Sequence, residues 1–157
     1  MEPVAKRLYH EADGHVKYSG FVTGPSHPWF GYSPDGISYE ERNNRFVLLE
    51  VKALDLGKRV VGDEFCKQCK YLEFSNDGVM RLKKKNKFYG QIQFGLGISN
   101  LPHAKLLLYV HKNRSVITVD VPRDEEFISS MFSVLTDVYF THYLPFLSTH
   151  RNRLINA

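Results

Sequence analysis

The segment Phe46-Val47-Leu48-Leu49-Glu50-Val51-Lys52 places the tightest limit on the fold. It is short, rich in Val and Leu, and apolar at successive positions. As a strand it is therefore buried on both faces and must be central in a sheet covered on both sides. It nevertheless carries Glu50 and Lys52, two residues apart and so on the same face. Charge at such a place is costly unless it is paired, so the core strand must run past a polar cluster. The 157 residues suit a single domain, 1–157, with one core. At 43% hydrophobic and 24% charged residues, the composition excludes disordered, collagen-like and coiled-coil chains.

Flanking elements follow from local chemistry. Residues 2–9 read as a helix, with Pro3 in the first turn, Val4, Leu8 and Ala12 on one face, and Gly14 ending it. His15 to Val22 alternates as a strand, and Thr23 to Pro28 reads as a loop. Ser33 to Glu40 leads into a second strand, turned at Arg42-Asn43-Asn44. Residues 54–87 form a polar insertion, within which 70–74 and 79–82 flank the hairpin signal Ser75-Asn76-Asp77-Gly78. A helix is predicted over 88–99 and a hairpin over 104–110 and 115–121. A last helix starts near Asp124, with Phe127, Ile128, Met131, Phe132, Leu135, Val138 and Tyr139 as a core or subunit-interface stripe that would permit a homo-oligomer. The order predicts an α/β (α+β mix) chain with helices bracketing one sheet.

The hairpin register gives the chemistry its place. Closing the turn at Arg42-Asn43 sets 39 opposite 46, 37 opposite 48 and 35 opposite 50, so Asp35 meets Glu50 across two strands. Slipping the turn by one residue would put Asp35 between Glu50 and Lys52, which still clusters all three. Two converging carboxylates repel unless a cation lies between them. The oxygens of Asp35, Glu50 and the Val51 carbonyl suit Mg²⁺, which takes few protein ligands and keeps several waters. With Lys52 beside it, this set suits metal-assisted phosphodiester hydrolysis. A structural Glu–Lys pair is the plainer alternative.

Charge is distributed unevenly. The chain carries a net +4, but residues 58–87 hold nine Lys or Arg against four Asp or Glu, interleaved with Phe65, Tyr71 and Phe74. Arg81, Lys83, Lys84, Lys85 and Lys87 lead directly into the helix of 88–99. Such a surface holds phosphates without reading sequence. Cys66 and Cys69 form one Cys-x-x-Cys with no further Cys to complete a zinc site, and read as reduced bystander thiols. Trp29 and Phe30, just before the Ser33-Pro34-Asp35 turn, are expected to pack under the site, with stacking on a base as the alternative. The longest apolar runs fall far short of a membrane span, and the N-terminal residues lack a signal-peptide pattern. An intracellular, cytoplasmic or nuclear, location is expected, with no membrane partner.

Gly31-Tyr32-Ser33-Pro34-Asp35-Gly36, Leu48-Leu49-Glu50-Val51-Lys52 and Tyr89-Gly90-Gln91-Ile92-Gln93 together resemble the YqaJ / lambda-exonuclease branch of the PD-(D/E)XK nucleases. Glu2 to Tyr9 is similar to that branch's leading helix, and Arg123 to Phe127 to the start of its last. The resemblance covers about residues 2–147. It implies a restriction-endonuclease-like core: a central mixed sheet flanked by helices. It implies Asp35 and Glu50 as Mg²⁺ ligands, with Mn²⁺ able to substitute, and Lys52 as the catalytic lysine. Gln91 would support the site from the following helix, or Gln93 if the helix phase differs; Glu2 would lie at the site edge and Ser33 near a DNA phosphate. The implied activity is a double-strand DNA exonuclease serving recombination or repair. A structure-directed or nicking endonuclease and a non-catalytic DNA-binding module are the alternatives. The sequence departs from the family's frequent Cys-Pro after Glu-x-Lys, having Ala53-Leu54 instead.

Overall fold

Both faces of the central strand are covered, which is why it has no polar face. The structure, a computed structural model, describes residues 4, 7, 9, 16–17, 20–54, 69–75, 78–110 and 115–154. In chain order its strands are β1 (Val16–Lys17), β2 (Val22–Gly24), β3 (His27–Tyr32), β4 (Gly36–Glu40), β5 (Arg45–Leu54), β6 (Leu72–Phe74), β7 (Met80–Leu82), β8 (His103–Val110) and β9 (Ser115–Pro122). Helix α1 spans Lys87–Ser99 and α2 spans Glu125–Val138; a π-helical turn, Tyr139–Tyr143, leads into α3 (Leu144–Leu154). The chain forms two compact units, residues 1–123 and 124–157.

In the first unit, five strands form a mixed sheet in the order β1-β4-β5-β8-β9. β4 and β5 are antiparallel, with Tyr39 opposite Phe46, Ile37 opposite Leu48 and Gly36 opposite Leu49, the register expected from the sequence. β5 and β8 are parallel. A parallel pair needs a crossover, and the β6–β7 hairpin and α1 provide it. On one face of the sheet, Val47, Leu49, Val51, Leu107 and Tyr109 form a buried cluster with Tyr9. On the other, Leu48, Leu106 and Leu108 are fully buried, and α1 lies over β5 and β8. Tyr89, Ile92, Gln93 and Leu96 form the buried stripe of α1, at the i, i+3, i+4, i+7 spacing of a helix face. Asn86 caps the helix by accepting the Phe88 N–H at 2.9 Å, and Asn100 ends it in the left-handed region with φ 53°.

The expected loop of Thr23 to Pro28 is corrected: these residues belong to the β2–β3 hairpin, with only Pro25 and Ser26 in the turn. Pro28 reads as a breaker but is tolerated because a two-stranded sheet consists of edges. Phe30 packs edge-on against Phe94 of α1, at 5.6 Å between centroids, and Trp29 against His27 at 5.6 Å. Within the insertion the described strands are β6 and β7, paired with Glu73 opposite Arg81. Cys69 is a buried free thiol; Cys66 and the basic residues Lys58, Arg59 and Lys67 lie outside the described residues. In the second unit, Asp124 caps α2 by accepting the Phe127 N–H at 3.1 Å. Ile128 and Phe132 of the expected stripe are buried, whereas Val138 is exposed. Among the described residues no helix is long and apolar enough to cross a membrane.

One ion-pair network ties the turn end of the sheet together. Glu40, 8% exposed, accepts from Arg45 at 2.7 Å and Asn43 at 3.0 Å, and pairs with Lys105 of β8. Burial disfavours its ionised form, but the hydrogen bonds from Lys105, Asn43 and Arg45 and the Lys105 charge outweigh it and hold the carboxyl at about 2. A carboxyl held below its ordinary value adds stability that is present above that value and is lost as pH falls through the folded one. Replacing Glu40 by Gln should therefore cost on the order of 2 kcal/mol at neutral pH. The difference from the unsubstituted protein, read by urea unfolding at stepped pH, should hold constant above about pH 5 and shrink steadily between there and pH 2.

Candidate active site

Asp35, Glu50, Lys52 and Gln91 meet at the end of the β4–β5 ladder. β4 begins at Gly36, opposite Leu49, so Asp35 stands in the next register position, beside Glu50. Its carboxylate oxygen Oδ2 accepts the Val51 N–H at 2.7 Å. That bond fastens the Ser33-Pro34-Asp35 turn to β5 where the ladder stops. The N–H and C=O of a strand residue leave on the same side, so the Val51 carbonyl is directed to the same edge.

Glu50 is 2% exposed and accepts from three donors. Lys52 Nζ donates to Oε1 at 2.5 Å, and Gln91 Nε2 donates to the same oxygen at 2.6 Å. The Tyr32 hydroxyl donates to Oε2 at 2.5 Å. Three donors on one buried carboxylate offset the cost of its charge and fix its plane. Burial, then the Glu50 charge and its hydrogen bond, then the Asp35 charge, raise the Tyr32 phenol far above its ordinary value. It therefore remains a donor throughout the physiological range.

Gln93 is not at the site. Two positions along the helix turn it away from Gln91; it is fully buried and donates to the Pro122 carbonyl at 2.8 Å. Glu2 lies outside the described residues. Ser33 is exposed in the turn after β3, and Arg81, Lys84, Lys85 and Lys87 are exposed along β7 and the start of α1. Lys83 is half-buried, with Nζ donating to the Lys70 carbonyl at 3.4 Å.

Tyr32 is the site residue that sequence reasoning does not single out. It stands in the motif segment, but nothing about a strand tyrosine announces a carboxylate partner eighteen residues away. The available clue is positional: it closes the strand that delivers Asp35, and a buried Glu needs donors.

The donor set fits a hard divalent cation. Two carboxylates and a main-chain carbonyl, all oxygen, converge from one turn and one strand. Among the described residues no group of three or more His, Cys, Asp or Glu gathers to hold a metal.

Comparison with solved structures places the fold. An alkaline exonuclease from Laribacter hongkongensis superposes with a TM-score of 0.69 at 18% identity, covering 99% of this chain and 72% of that one. The same enzyme in complex with dAMP gives 0.69 at 18%, over 99% and 71%. At that identity the likeness is one of fold, the α/β PD-(D/E)XK-like arrangement of a mixed sheet between helices. No curated protein matches the chain significantly. The sequence model of the YqaJ-like viral recombinase domain matches residues 1–101, a span that holds the Asp35 turn, the Glu50–Lys52 strand and the helix of Gln91. With motif, register and fold in agreement over that span, the chain belongs to the family of YqaJ-like viral recombinase domains.

Proposed function

We propose that this protein is a Mg²⁺-dependent deoxyribonuclease, and specifically an exonuclease on double-stranded DNA acting in recombination or repair. The observation that carries the proposal is the convergence of Asp35, Glu50 and Lys52 at one ladder end. Family membership supports the reading, and so does the exonuclease with the same fold.

Asp35, Glu50 and the Val51 carbonyl would hold the cation. Bound there, it would supply Lewis-acid polarisation of the scissile phosphate and a more acidic attacking water. The protein's own residues supply the rest. Tyr32 and Gln91 keep the Glu50 carboxylate oriented. The Lys52 ammonium is positioned to offset negative charge that builds on the phosphate oxygens during displacement, an interaction stronger in the transition state than in the ground state. Ser33 and the cations Arg81, Lys83, Lys84, Lys85 and Lys87 would contact backbone phosphates, giving binding that is sequence-independent and steeply weakened by salt.

Digestion of linear, end-blocked and covalently closed circular DNA, each with and without Mg²⁺ or Mn²⁺, tests the proposal. The expected result is metal-dependent loss of the linear duplex, with end-blocked and closed circular DNA surviving. Relaxation or linearisation of the circle would make the protein an endonuclease. Salt-sensitive binding with no turnover on any form would leave only a DNA-binding module.

A further inference from the structure

The Lys52 ammonium touches something besides Glu50. Its Nζ lies over the ring of Phe88, 5.2 Å from the centroid, so the cation sits between a carboxylate oxygen and an aromatic face. Phe88 occupies the first turn of α1, where its own N–H is fixed by the Asn86 cap. Its ring is braced by Tyr71, 5.0 Å away and inclined at 58°. Tyr71 in turn is held beside the end of β7 by the Lys83 N–H, which donates to its carbonyl at 3.0 Å. Phe88 and Gln91 are three residues apart and so share one face of the helix. From that face, one meets the ammonium and the other meets the oxygen the ammonium is bonded to.

A lysine needs such a second support at this position. Its stem has four rotatable bonds and its head is a point charge with no preferred plane. The bond to Glu50 Oε1 is shared with Gln91, and Glu50 is also a carboxylate on which a cation would draw. An aromatic face holds an ammonium through its quadrupole. Unlike a second carboxylate, it neither cancels the positive charge nor occupies the N–H donors as an acceptor would. The ring therefore takes no more of the ammonium's charge than its bond to Glu50 already does. The Lys87 Nζ also lies over this ring, at 5.3 Å.

We propose that Phe88 is a positioning residue for Lys52: its ring holds the ammonium in place for the phosphate. The proposal rests on the reading of Lys52 as the catalytic lysine, and two measurements keep their failures apart. In the first, the Lys52 side-chain ε signals of the full chain, assigned by their loss in Lys52→Ala, are followed by NMR without any DNA. A ring-current upfield shift that disappears in Phe88→Leu is expected; its absence in the unsubstituted protein overturns the proposal whether or not DNA is cleaved. In the second, Phe88 is replaced by phenylalanines carrying one, two and three ring fluorines, which weaken the face without changing the packing much. The turnover rate should fall in order, to about 3- to 10-fold below the starting value, with KM for DNA within about twofold. Phe88→Leu should lose about 10-fold, and Phe88→Trp should restore most of it. Equal rates across the fluorinated series overturn the proposal. If the unsubstituted protein cleaves no DNA, the catalytic reading fails and the role proposed for Phe88 fails with it.

Discussion

Lys52→Ala should lower single-turnover cleavage of linear duplex DNA by about 10²–10³-fold, while the fold survives. The activity loss follows from what the ammonium faces. It is the cation that β5 directs into the Asp35–Glu50 edge, and removing one preorganised electrostatic contact to a reacting group commonly costs 10²–10³-fold. Stability should change little, because Glu50 keeps Tyr32 and Gln91 as donors and Lys52 is 21% exposed. A partly solvated pair of this kind is worth about 1 kcal/mol, or about 2–4 °C in Tm for a chain of this size. Lys52→Arg should not rescue: it restores charge, but the planar guanidinium is larger and differently shaped than the ammonium seated between Glu50 and Phe88. Binding to a short duplex, measured at fixed low salt, should stay within a few-fold of the unsubstituted protein. Cleavage by Lys52→Ala within tenfold of the starting rate would remove this residue from the chemistry.

Much of this site is legible in the sequence because it is built on a hairpin. Once the Arg42-Asn43-Asn44 turn is recognised, a strand period of two puts Lys52 on the same face as Glu50, and either closure of the turn brings Asp35 beside that pair. The placement of β5 at the sheet centre follows equally from its two apolar faces. What the sequence hides depends on packing between elements. Gln91 and Gln93 are chemically identical candidates, and only the phase of α1 against the sheet separates them. That phase is weakly marked because Gly90, Gly95 and Gly97 dilute the apolar stripe, although Tyr89, Ile92, Gln93 and Leu96 do fall at helix-face spacing. The β2–β3 hairpin is hidden for a related reason. Gly24, Pro25 and Pro28 carry loop chemistry, and its strands are held in place by Phe30 meeting Phe94 of α1, a contact between elements distant in sequence. Tyr32 belongs to this group: its role exists only because that hairpin delivers it to Glu50.

Gly95 is where fold and site are most tightly joined, and Gly95→Val should be more destabilising than loss of the Lys52 ammonium or the Glu40 charge. A Cβ at this position would lie 2.6 and 2.7 Å from Tyr32 Cε1 and Cζ and 2.8 Å from Leu48 Cδ2, closer than carbon atoms approach. Neither neighbour withdraws without cost: Leu48 is fully buried, Tyr32 is 7% exposed, and moving the tyrosine breaks its hydroxyl's bond to Glu50. Ordinary helix propensity favours replacing a mid-helix glycine, by about 1 kcal/mol for Ala and less for Val. Overpacking costs about 1–3 kcal/mol for small additions and more where backbone must move. For Val, with three carbons to place, a net loss of about 3 kcal/mol is expected, or a Tm lower by about 6–12 °C. Gly24→Ala serves as the comparison, since its Cβ would meet Ile98 at an ordinary 3.8 Å; it should shift stability by no more than about 0.5 kcal/mol. The strain at Gly95 must be relieved largely by moving Tyr32, which predicts coupling as well as destabilisation. Tyr32→Phe should cost about 1–3 kcal/mol in the unsubstituted protein, by leaving a Glu50 oxygen without that donor. In the Gly95→Val background it should cost markedly less, because the bond is already broken. Additive losses in that double-mutant cycle would mean that α1 yields instead, and that the Tyr32–Glu50 contact survives the intrusion.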